Sequence, residues 1–110
     1  MSDESVTVKL RDRLEDLAAE IGHARKGMEL GHLAALCFCE VRPWARRAGE
    51  GRLADLSWRL SIQPLPIDRT AFLAQIDRLI EELEQICMRA GIGMAAATLR
   101  QARTQQPDST

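Results

Sequence analysis

A chain of 110 residues is one domain's worth, enough for a single hydrophobic core. Its hydrophobic fraction of 45% and charged fraction of 28% exclude a wholly disordered chain, and its formal net charge of −1 excludes a global pull on nucleic acid or an anionic membrane. Three cysteines, two of them one residue apart, argue against a secreted disulfide framework.

The first residues, "MSDESVTVKL", are acidic and polar with no apolar region, so no signal peptide is read there. No apolar run approaches the roughly 20 residues that span a bilayer. Met28 to Val41 comes nearest, interrupted by Glu29, His32 and Glu40. The expected location is a cytoplasm. All but two of the 15 basic residues, Lys9 and Lys26, are arginine, and alanine is abundant. That bias accompanies a GC-rich bacterial genome and carries no functional information.

From Val6 to Met28, the residues Val6, Leu10, Leu14, Leu17, Ile21, Ala24 and Met28 recur at steps of three and four. That spacing predicts one stripe of an amphipathic helix, with Arg11, Asp12, Glu15, Glu20, Arg25 and Lys26 on the opposite face. Gly27 and Gly31 are stop or kink positions. A second helix is predicted from about Met28 to Val41. Pro43 biases Arg42 away from helical geometry, which predicts a break there and a short helix from Pro43 through Arg47. "AGEG" (48–51) reads as a turn, and "RLADLSWRL" (52–60) as a short helix with Leu53, Leu56 and Leu60 on one face.

"SIQPLPI" (61–67) holds two prolines and reads as extended. Asp68 is the predicted N-cap of the next helix, with Ile67 and Phe72 placed as a hydrophobic staple. Phe72, Ile76, Leu79, Leu83, Ile86 and Ala90 form its stripe, widened by Ile80 and Cys87, and Gly91 is its stop. "GMAAATLRQAR" reads as a last short helix. Residues 1–104 are therefore expected to form a single all-α domain and 105–110 a disordered tail. The fold class is a small helical bundle: two long amphipathic helices near the chain ends and shorter central ones. Two arrangements are open to the long helices: antiparallel pairing in one bundle, or pairing across a dimer.

The stretch "GHLAALCFCEV" (31–41) places apolar residues in every direction, because successive helix residues turn by roughly 100°. A helix apolar all round is buried all round, so this one is expected at the centre of the core, with an interface on one side as the alternative. It supplies no metal pattern. Cys37 and Cys39 diverge on a helix, and His23 and His32 are nine apart. The remaining metal reading needs the fold to bring His32, Cys37 and Cys87 together. A reactive thiol has no evident neighbour to lower its pKa, so the cysteines are expected to pack as small hydrophobes.

Positive charge concentrates beside aromatics in one place. Arg42, Arg46, Arg47 and Arg52 surround Trp44, with Trp58 and Arg59 just beyond. Arg and Trp together are typical of interface hot spots, and Arg also clamps phosphate or carboxylate. The blander reading has Trp44 covering the edge of the core and the arginines solvated. The acidic residues Asp77, Glu81, Glu82 and Glu84 read as a solvated helix face, with no Glu-x-x-His partner to suggest a metal carboxylate site. "GIG" (91–93) follows no strand and is no phosphate loop. Two histidines with no supporting motif support no catalytic constellation.

The expectation is a small non-enzymatic regulatory or adaptor protein that binds another protein, homodimeric, without cofactor or metal. Arg42, Trp44, Arg46, Arg47 and Trp58 are its candidate partner-binding residues. The alternatives are a nucleic-acid or anion binder using the Arg42–Arg59 patch, and a small helical metal protein.

Overall fold

The computed structural model describes residues 2–64, 66 and 68–104. They form helices and no strand: α1 (Ser2–Lys26), α2 (Leu30–Ala35), a π-helical segment (Leu36–Glu40), α3 (Val41–Ala48), α4 (Gly51–Ile62), α5 (Arg69–Arg89) and α6 (Gly93–Thr104). The expected tail 105–110 and the staple residue Ile67 lie outside the described residues.

No break falls at Arg42. The chain runs from Leu30 to Ala48 as one helical rod, and the π-helical segment absorbs the proline. An interior proline has no N–H, and its ring clashes with the carbonyl four residues back. Widening the turn just before it relieves that clash without ending the helix. The widened register is visible in the bond from the Val41 N–H to the Leu36 carbonyl. Inside it, the Ser57 hydroxyl donates a 2.7 Å hydrogen bond to the Cys37 carbonyl, tying α4 to this turn.

Three helices end in the same way. In the turns after α1, α3 and α5, paired backbone bonds close the last turn, and the next residue turns left-handed. Gly49 (φ 75°) and Gly91 (φ 78°) occupy that position after α3 and α5. After α1 it is Met28 (φ 55°) rather than the neighbouring Gly27. Asp68 caps α5 as its sequence predicts, accepting a 2.7 Å bond from the Ala71 N–H. The extended segment begins two residues later than expected, since Ser61 and Ile62 complete α4.

The two long helices do not form the central pair. The last helix, α6, lies between α1 and α5 and packs extensively on both, while α1 and α5 meet each other over little area. Small residues make this possible. A side chain at Gly22 would come 3.1 Å from the Thr98 methyl, so α1 approaches α6 at a position that has none. Leu14, Leu17 and Ile21 of α1, Ile76, Leu79, Ile80 and Leu83 of α5, and Leu99 of α6 are fully buried. The rod from Leu30 to Ala48 and α4 complete the core with Leu33, Val41 and Leu53.

The apolar stripe of α1 is not buried along its whole length. Val6 is 53% exposed, and full burial begins at Leu14. The apolar side of α1 at Val6 therefore stays open beside α3, and the molecule measures 50 × 31 × 18 Å. The 31–41 stretch is also not enclosed all round. Leu33, Leu36, Cys37 and Val41 are buried, whereas Gly31, His32, Ala35, Cys39 and Glu40 face outward. The outward apolar residues are small, so little apolar area is left in water.

Candidate protein-binding surface

The α3–α4 hairpin positions the predicted Arg and Trp residues, and it divides them. Trp58 on α4 is 47% exposed. The guanidinium of Arg42, on α3, lies over its ring at 5.0 Å from the centroid, a cation–π contact. Arg46 is one helical turn beyond Arg42 and is exposed. Among the described residues neither arginine has a carboxylate partner.

Trp44 belongs elsewhere. It is 6% exposed, and its indole N–H donates a 2.8 Å bond to the Leu10 carbonyl of α1. It closes the core edge, as the blander reading of the sequence has it. Arg47 is exposed and lines a groove between the start of α1 and α3, on a different side from Arg42. Arg52 and Arg59 are occupied by carboxylates, Glu82 at 3.2 Å and Asp55 at 3.1 Å. The run of arginines in the sequence is thus three separate surfaces.

The acidic face of α5 corrects a second expectation, because most of it is not free in solvent. Asp77 receives two hydrogen bonds from Arg25, at 2.9 and 3.1 Å, which join α1 to α5. Arg25 is 6% exposed, not a member of the solvated face of α1. Glu84 receives two from Arg103, at 2.6 and 3.1 Å, which join α6 to α5, and Glu81 lies 3.4 Å from the same guanidinium. The hydrogen bonds to Glu84 hold Arg103 above its ordinary pKa. Planar two-point pairs of this kind fix the rotation of one helix against another.

The three thiols are free. Burial, and then the charge of Asp77, push Cys37 up to about 12, while burial, and then Glu84 and Glu15, push Cys87 up to about 11. Both pack as small hydrophobes, and Cys39 points to solvent on the other side of the rod. His32 is exposed at the start of α2 with Glu29 at 3.4 Å from its ring nitrogen. Among the described residues no group of three or more His, Cys, Asp or Glu side chains is placed to hold a metal ion. Among the described residues no helix is long and apolar enough to cross a membrane.

Sequence reasoning missed the groove between α1 and α3. Val6 and Leu10 match the core stripe in spacing, yet Val6 is exposed and Leu10 only partly buried against the core edge. No family model, no curated protein and no solved structure matches this chain.

Proposed function

We propose that the chain is a small non-enzymatic regulatory or adaptor protein that works by binding another protein. It would occlude or sequester an interface of a transcription regulator or another effector, acting in a cytoplasm and as a homodimer. The contact face is Arg42, Arg46 and Trp58, with Trp44 supporting α3 from beneath. One observation carries this reading: Trp58 is half exposed and stacked by an arginine that, among the described residues, no carboxylate neutralises. Arg and Trp are enriched where protein partners gain most of their affinity. Their stacking holds both side chains in place before binding, which lowers the ordering cost of association.

The test is a photo-crosslinking amino acid at position 58, used in host cells and compared with the same group at exposed Gln85. A dominant crosslinked protein at position 58, lost with Arg42→Glu, supports the face. Equal labelling at both positions overturns it. Crosslinks to nucleic acid that vanish with added salt would replace it with phosphate contacts.

A further inference from the structure

We propose that the groove between the start of α1 and α3 is a docking site for a short acidic amphipathic helix of a partner protein. The proposal rests on the protein-binding reading above and assigns it a second surface with its own partner chemistry.

The floor of the groove is apolar: Val6 and Leu10 on one side, Pro43 and Trp44 on the other. Its two walls run antiparallel. Arg13 of α1 donates to Glu40 at 2.8 Å at one end, and the Trp44 indole reaches Leu10 further along. The Arg13–Glu40 pair therefore closes one end, and Glu20 lies 3.6 Å from the same guanidinium. Arg47 stands at the other end and Lys9 midway along the α1 wall, both exposed and, among the described residues, without an acidic partner. Each wall spans about two helical turns, roughly 10 Å.

These features select an occupant. A length of two turns accepts apolar anchors at i, i+3 or i+4, and i+7, the pattern by which an amphipathic helix seats in a groove. The two exposed cations, Lys9 along one wall and Arg47 at the open end, favour carboxylates beside them and disfavour a basic helix of the same shape. The floor is preformed, because the indole N–H of Trp44 is already satisfied within the protein and asks nothing of a ligand.

The experiment uses the full chain as bait for a displayed library of 12-residue helical peptides with randomised faces. Enriched peptides should carry apolar anchors at helical spacing with Asp or Glu beside them. Their affinity should fall about tenfold with Arg47→Glu, and more with Lys9→Glu/Arg47→Glu. Trp58→Ala should leave binding unchanged. Both charge changes are on exposed side chains, so the melting temperature serves as the folding control. Failure to enrich acidic helices overturns the proposal, as does binding insensitive to Arg47→Glu. Acidic peptides lost with Trp58→Ala alone would sink the groove and leave the Arg42–Trp58 face standing. Self-association of the protein lost with Val6→Glu would assign the groove to a second copy and also overturn the proposal.

Discussion

The indole of Trp44 is buried between α1 and α3, and its N–H makes a 2.8 Å bond to Leu10. Trp44→Phe keeps most of the ring and removes the donor, so it should cost about 1–2 kcal/mol in a denaturant titration. Trp44→Ala should cost about 3–5 kcal/mol, because it also opens a cavity. A Trp44→Ala protein with an unchanged midpoint would return this residue to the surface. The two buried thiols make a pH prediction. A pKa raised in the folded state means that the folded protein holds its proton more tightly than the unfolded chain. The resulting stabilisation is complete below the ordinary value of 9.0 and is lost as pH rises from there through about 11 and 12. The urea midpoint should thus fall steeply above pH 9, and the fall should shrink in Cys37→Ala, even though that variant starts lower at neutral pH. The chain has no tyrosine to complicate the reading. A thiol reagent under native conditions should modify Cys39 alone.

At the scale of elements, helix ends follow backbone conformation more closely than residue type. Gly91 has φ 78°, and a side chain there would meet nothing within 4 Å. The cost of Gly91→Ala is therefore conformational, about 1–2 kcal/mol, with no contribution from a clash. A thermal melt checks it. If Gly91→Ala melts with the parent protein, the α5–α6 turn is looser than described. Met28 takes the same conformation with a side chain, although glycine stands immediately before it. The hydrogen-bond register that closes α1 selects the position after Gly27, and no local preference of the sequence reports that choice. Pro43 is the other instructive case. Its effect on the preceding turn is legible, but a break and a π-helical widening both relieve the same clash. The buried neighbours on either side, Val41 before it and Trp44 and Ala45 after it, keep the rod continuous.

For the whole molecule, α6 is the piece on which the others depend. It separates α1 from α5, covers both, and is locked to α5 through Arg103 and Glu84. A chain ending at residue 92 should lose cooperative unfolding and bind a hydrophobic dye, since Leu17, Ile21 and Leu83 are buried in a core that includes Leu99. Retention of a sharp melt would mean that α1 and α5 pair directly once α6 is gone. The candidate surfaces also belong to this scale. Arg42 and Trp58 are 16 positions apart and meet because the Gly49 turn folds α4 back on α3.

The sequence by itself determined the helical class, nearly every helix, the cap at Asp68, the stop at Gly91 and most of the core of α1 and α5. These follow from periodicity, capping and turn chemistry, which act over a few residues. Only the tertiary structure decided the rest. It placed α6 between the long helices, drew Arg25 and Glu84 inward as ion pairs, and left Val6 in solvent. It also separated one run of arginines into three surfaces. Each of those outcomes depends on which faces of distant helices meet. A stripe of apolar residues shows that a face is suited to burial without saying how far along the helix another element covers it.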